Sequence, residues 1–371
     1  MNDAFGVVIF SGSNVKVDGL DEFRSVGSIS FLGRYRIADF PISNMSNSGI
    51  DNIQLYVDDN PRSIIDHVGT GRNYNINSKR GKLSILFGDN SSASRFYKND
   101  IASFNNNRIA IEAQTEKYVV VTNNYMVYSM DYNDVIEEHV KTGADITIVY
   151  KTVDRANEKF INCDVLNLNK QKGVLDIARN RGKYKTRNIS METYVMSKEL
   201  FLAMIDQATN TSSLYWMRDI VNDACEFLDV RGYQYKGYLA AIASFKDYYD
   251  ANMELLDPEN RNKLFKEDCP VYTKTNDSAP THYFKTGSSK NSLVSNGCCV
   301  EGRIVNSVIG RGCYIKKGAV VENSVILPGT VIGEDVHVNY AVVDKKVSIN
   351  QVKEVCGEKE HPAYVKRNDR I

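Results

Sequence analysis

A short apolar run, FGVVIF (residues 5–10), passes into SGSNVK (11–16), and cationic side chains follow at Lys16, Arg24, Arg34 and Arg36, with Arg179 far downstream. A strand that hands over to a small-residue loop is where backbone N–H groups can cradle phosphate, and guanidinium groups grip phosphate oxygens in pairs. Gly12, Lys16, Arg24, Arg34, Arg36 and Arg179 are therefore the candidate phosphate or ligand contacts, with surface ion pairing as the competing role of each cation. The loop is poor in glycine, and Asn14 and β-branched Val15 make a close cradle harder to form. Phosphoryl and nucleotidyl transfer also need a divalent cation held by carboxylates. Asp131 and Asp219 are acidic, but each stands near a helix start, where a carboxylate has a simpler role.

Other reactive types offer less. Seven cysteines, at 163, 225, 269, 298, 299, 313 and 356, show no CxxC pairing, so neither a zinc cluster nor a disulfide framework is expected. His337 alternates between Val336 and Val338 as a surface strand residue does, which argues against a histidine base of the acyltransferase kind.

The elements that must position these residues follow two periodicities. Up to about Ser244, apolar runs such as FGVVIF, NIQLYV, YVVVTN and DITIVYK alternate with helical patterns such as YNDVIEEHVKTG, where Val135, Ile136 and Val140 recur before Gly143. This predicts an α/β domain over 1–244, a doubly wound, mostly parallel sheet, with ligands beyond the strand C-termini. Residues 245–288 form a connector, helical until Asp257-Pro258 and then extended. Over 289–371, Ile309, Ile315, Val321 and Leu327 fall six apart, with Gly312, Gly318 and Gly329 between them. That spacing predicts a left-handed parallel β-helix of hexapeptide repeats, with Asn306-Ser307 and Asn323-Ser324 near corners. The tail VKRNDR (365–370) reads as a solvated end.

With 46 basic and 46 acidic residues in 371, the formal charge is zero, which gives no general attraction to nucleic acid or an anionic membrane. The start, MNDAFGVVIFSGS, reads as a buried strand rather than a signal peptide or membrane span, so a cytoplasmic protein is expected.

GRYRIADFPISNMSNSGI (33–50) resembles the signature segment of the ADP-glucose pyrophosphorylases (glucose-1-phosphate adenylyltransferases). SMDYNDVIEEHVKTGADITI (129–148), ISMETYVMSKELF (189–201), NDSAPTHYF (276–284) and the hexapeptide tail resemble the same family in the same order. Departures fall on the family's chemistry. Ser11, Asn14, Val15 and Lys16 take the places of Gly, Gly, Thr and Arg in its GGxGTRL loop, and Val26 stands where its RAKP segment has lysine. Tyr125 replaces the magnesium-holding Asp of GDHxYxMDY, and Tyr215 replaces that of DFGKD. A phenol is protonated at neutral pH and is a poor magnesium ligand. The family's EKP is not recognisable in LDIARNRG (175–182), where Arg179 stands as a substitute cation.

The resemblance thus implies a regulatory companion subunit with no catalytic residues of its own, Val26, Tyr125 and Tyr215 marking the degenerate positions. No cofactor is expected. The α/β domain is by the same resemblance nucleotidyltransferase-like, and the implied partner is a catalytic ADP-glucose pyrophosphorylase subunit, in a tetrameric hetero-oligomer, with a sugar phosphate or nucleotide as effector in glycogen biosynthesis. The alternative is an active glucose-1-phosphate adenylyltransferase that uses Mg²⁺, with Lys16 and Asp219 or Asp131 as substitutes.

Overall fold

The computed structural model describes residues 3–10, 15–57, 60–88 and 99–371. Strands β1 (Ala4–Ile9), β2 (Ile53–Val57), β3 (Leu83–Phe87) and β4 (Tyr118–Asn123) alternate with helices α1 (Asp39–Asn47), α2 (Arg62–Val68), α3 (Asp100–Asn106) and α4 (Arg108–Glu112). Helix α5 (Tyr132–Thr142) leads to β5 (Ile146–Val153), and β6 (Asp164–Leu168), β7 (Val174–Arg179) and the long β8 (Arg187–Ser197) follow. Helices α6 (Lys198–Thr211) and α7 (Met217–Ala224) lead to β9 (Val230–Gln234). These strands form one nine-stranded sheet. β1 pairs in parallel with β2 and β4, β2 with β3, and β9 with β5, while β8 runs antiparallel between β4 and β5. The hairpin β6–β7 joins the far half of β8.

The strands are nearly all apolar because helices cover both faces, as the two large core clusters on either side of the sheet confirm. In α5 the inward stripe is Tyr132, Val135, Ile136 and His139, at i, i+3, i+4 and i+7. Val140 lies one position off that stripe and is exposed, contrary to its expected role; His139 takes the inward place, 2.9 Å from Thr147 Oγ1. Gly143 closes the helix in the left-handed conformation.

Residues 245–288 contain two helices rather than one. After α8 (Phe245–Glu254) the chain restarts as α9 (Pro258–Leu264), with Pro258 at the helix start and the Asp257 side chain capping it. Tyr248 and Tyr249 on α8 pack inward, and their hydroxyls donate to Ser30 O and Asn323 O, each at 2.6 Å.

From His282 onward the chain winds as stacked coils whose short parallel strands form three five-stranded sheets. Ile309, Ile326 and Val343 stack on one wall, Ile315, Ile332 and Ile349 on the second, and Val321 and Val338 on the third. Successive members of these stacks lie 17 residues apart, because one corner of each of these coils is a residue shorter than a strict hexapeptide needs, whereas an early coil pairs at 15. The six-residue spacing therefore fails at Leu327. Ile326 fills the prism, and Leu327 turns outward into the core of the α/β domain with Val308, Val325 and Val342. Asn306 and Asn323 occupy corners at φ 45° and 46°, where a left-handed residue is required. Ser307 and Ser324 are fully buried behind them and bond the next coil's backbone, Ser324 N–H donating to Ser307 Oγ at 3.1 Å.

The two lobes are joined by buried polar contacts. Arg24 Nη2 reaches Asp344 on the coil at 2.5 Å, with both side chains inaccessible, and Tyr364 Oη donates to Asp344 at 3.0 Å. At Gly33, φ is 70°, and a Cβ would lie 2.5 Å from Ser295 Oγ and 2.6 Å from Ile309 O, so the loop closes on the coil without a side chain. The tail is not a free end. Ser348 N–H donates to Asp369 O at 2.9 Å and Ile371 N–H to Ser348 O at 3.0 Å, which places residues 369–371 against the last coil.

Candidate functional site

The C-terminal ends of β1 and β4, the start of β6, the end of β7 and the N-terminus of α7 converge on a narrow void of about 70 Å³. Tyr125 forms its floor and is 2% exposed. Its hydroxyl donates to Glu192 Oε1. Glu192 sits at an irregularity of β8, where the register with β5 slips between Ser190 and Thr193, and its φ is +47°. That conformation suits glycine and strains a glutamate, and strain of this kind marks positions where a side chain is being aimed. Here it aims a carboxyl at the tyrosine.

Burial, and then the charge of Asp164, push the Glu192 carboxyl up to about 8. Burial and Glu192 also push the Tyr125 phenol well above its ordinary value. Asp164 lies 3.3 Å from Arg179 Nε and 3.1 Å from Arg218 Nε, yet Asp164 Oδ1 and Arg218 Nε make no aligned hydrogen bond. Burial outweighs the two arginines and raises the Asp164 carboxyl. Asp100, pushed up to about 7 by burial, accepts from the N–H groups of Ile101 at 2.8 Å and Met217 at 3.0 Å. Magnesium takes ionised oxygens, and at this place Tyr125 presents a phenol whose hydroxyl is engaged with Glu192. Metabolite pockets occupy about 300–1,000 Å³, several times this void.

The other candidates disperse. Gly12 lies outside the described residues. Lys16 is exposed and does not line the void. Arg24 is the buried partner of Asp344, and Arg36 donates to Ser28 O at 2.6 Å and Ser63 Oγ at 2.7 Å, so neither faces the void. Of the five candidates among the described residues, Arg179 alone lines it. Val26 is buried in the core beside Gly27. Tyr215 turns away from the void, its hydroxyl donating to Asp223 at 2.7 Å. Asp219 does line the void, and it also accepts from Trp216 N–H at 3.1 Å at the start of α7; Asp131 lies away from the void and accepts from Asn133 N–H at 2.9 Å at the start of α5. Trp216 is half-buried and lines the void.

A larger cavity of about 640 Å³ lies between the α/β domain and the first coils. Arg34, Arg261 and Arg311 line it, with Tyr35, Phe265 and Ser295. Burial and the neighbouring Arg34 lower the Arg311 guanidinium, whose buried Nε has no hydrogen-bond partner.

Comparison with known proteins agrees with this architecture. The nucleotidyl transferase family matches residues 5–257, and the GlmU-like C-terminal hexapeptide family matches residues 279–365. Glycogen biosynthesis protein GlgD of Geobacillus stearothermophilus is 31% identical over 326 residues, covering 86% of this chain and 83% of that protein. The chain belongs to the nucleotidyl transferase family. Within that family, GlgD of Bacillus subtilis is 28% identical over 99% of this chain and 96% of its own length. Glucose-1-phosphate adenylyltransferase of Clostridium perfringens (strain 13 / Type A) is 27% identical over 88% of this chain and 84% of its own length.

In this member of the nucleotidyl transferase family, the sequence pattern does not reveal the acid that packs against Tyr125. Glu192 has one sequence signal, an acid inside the apolar strand ISMETYVM, but nothing in the pattern shows that a register slip turns it inward. Asn124, which does not line the void, is fully buried against Gly27, and neither amide atom has a hydrogen-bond partner.

Proposed function

We propose that the chain is a catalytically inactive regulatory subunit of a bacterial ADP-glucose pyrophosphorylase, acting in glycogen biosynthesis in the cytoplasm. It associates with a catalytic subunit as a tetramer, raises that subunit's activity and changes its response to an effector. The observation that carries this reading is the Tyr125–Glu192 pair, which fills the position where a magnesium-holding carboxylate is expected and leaves a void of only about 70 Å³. Metal-assisted nucleotidyl transfer depends on neutralising phosphate charge, and a hydrogen-bonded phenol offers none. An inactive protomer acts through its interface with the partner, and by linkage that influence is reciprocal. The cavity lined by Arg34, Arg261 and Arg311 supports a second component, the sensing of an anionic metabolite by bidentate guanidinium contacts.

The rival reading, an active adenylyltransferase with substitute groups, finds less support. Asp131 and Asp219 are engaged at helix starts, of which only Asp219 lines the void, and Lys16 is exposed and does not line it. Co-purification with a catalytic glucose-1-phosphate adenylyltransferase, followed by pyrophosphate-release assays with and without this chain, tests the proposal. The expected result is a stable complex, a higher rate or altered effector curve for the partner, and negligible turnover by this chain alone. Turnover by the isolated chain within tenfold of the catalytic homologue, or no association and no kinetic effect, overturns it.

A further inference from the structure

One outward face of the coil carries a donor set unrelated to the cleft. In the sheet that contains strands Val320–Glu322, His337–Asn339 and Glu354–Cys356, Val321, Val338 and Val355 point into the prism, and the residues beside them point out. His337 is paired directly with Glu354, and Cys356 follows two residues later on the same face. An imidazole nitrogen, a carboxylate oxygen and the Cys356 Sγ all lie within 4.8 Å of one another. His337 Nε2 is buried and has no hydrogen-bond partner. Glu322 Oε2, at 3.5 Å, is close enough for attraction but is not a hydrogen bond, and Glu322 is itself tied to Arg303 at 2.8 Å. The Cys356 thiol lies 3.1 Å from Glu354 Oε1.

We infer that His337, Glu354 and Cys356 form a site for a borderline-soft divalent cation of the zinc class. Nitrogen, oxygen and sulfur donors together suit zinc, whereas magnesium and calcium take oxygen alone. Three protein donors leave a fourth tetrahedral position open to water, bordered by Glu322. His337 stands 17 residues before Glu354 and 19 before Cys356, so the set shows no metal-binding spacing in sequence; the winding of the coil brings it together. The site's mechanical effect is specific. Glu354–Cys356 is the last strand of its sheet, and the cation would staple this edge strand to its inner neighbour, where unpaired edges are otherwise exposed to fraying.

Binding requires the thiolate. A cysteine thiol is protonated at neutral pH, so the free site carries S–H. On binding, the S–H bond breaks, the metal–sulfur bond forms and one proton passes to buffer; Glu354, Glu322 and Arg303 are the charged groups that face this exchange.

The test uses the full chain, tag-free, reduced and stripped with chelator, then titrated with Co²⁺ and with Zn²⁺. The expected result is one Co²⁺ per chain with a thiolate-to-cobalt charge-transfer band, displaced by Zn²⁺. Calorimetry in buffers of different ionisation enthalpy should show one proton released. Cys356→Ser and His337→Ala should each weaken binding by at least about 10- to 100-fold, the loss typical even of an outer-shell partner, and Cys356→Ser should abolish the band. Cys299→Ser, which removes a half-exposed cysteine elsewhere on the coil, should change neither. Circular dichroism confirms that each surface variant is folded. Cobalt binding without the thiolate band, or affinity unchanged in both Cys356→Ser and His337→Ala, overturns the inference.

Discussion

Glu192 is the residue whose chemistry differs most from its surroundings. Its carboxyl, near 4.5 in an unfolded chain, is held up at about 8 in the fold. Below pH 4.5 both states are protonated and the group has no effect. Above it, the unfolded chain releases the proton first, so folding stability falls as pH rises towards 8. We expect Glu192→Gln to remove that slope. In urea denaturation from pH 5 to 8, the variant should gain on the wild type with rising pH, reaching on the order of 1–3 kcal/mol near neutrality. A parallel pair of curves would refute it. Tyr125 was legible from sequence because a tyrosine stood in a recognisable segment where an aspartate was expected. Its partner was not, because a slipped register leaves no mark in residue type. Arg24 shows the opposite failure: it looked like a phosphate cation, but its partner, Asp344, is 320 residues away in sequence.

At the scale of the element, the coil illustrates how a period can be read correctly and still mislead. Branched residues six apart announced the prism, and Ile309, Ile315 and Val321 do point into it. The shortened corner after Val321 then moves the inward position to Ile326, and the register of the remaining coils follows that 17-residue rung. Ile332 illustrates the energetic weight of this wall, being fully buried between Ile315 and Ile349. Ile332→Ala should cost about 2–5 kcal/mol, the range for a large-to-small change in a close-packed interior. The fall in the denaturation midpoint at unchanged slope measures it. A loss below 1 kcal/mol would mean that the prism collapses around the missing methyl groups. Helix α5 was legible for a related reason: its inward stripe and closing glycine are local, and the substitution of His139 for Val140 altered the face by one position only.

At the scale of the whole molecule, the alternation of strand and helix and the hexapeptide run sufficed for the two-lobed architecture, and the contacts between the lobes did not show in sequence at all. The Arg24–Asp344 pair is fully buried, so removing one partner leaves an uncompensated charge. Arg24→Ala should therefore destabilise by about 3–5 kcal/mol, and replacing both residues with apolar ones of similar volume should restore much of the loss. Thermal and chemical unfolding of the single and double variants decides this; equal losses in both would contradict the argument. No helix among the described residues is long and apolar enough to cross a membrane.

Because that ion pair is dry and is reinforced by Tyr364, parting the lobes means rehydrating charge from a sealed seam, and the molecule has no cheap hinge there. A neighbour that pushes on the coil would swing the loop bearing Arg24 and Val26 with it, as the long arm of a lever swings the short one. Mechanical signals would then leave this chain as a change of tilt, not as an opening and closing.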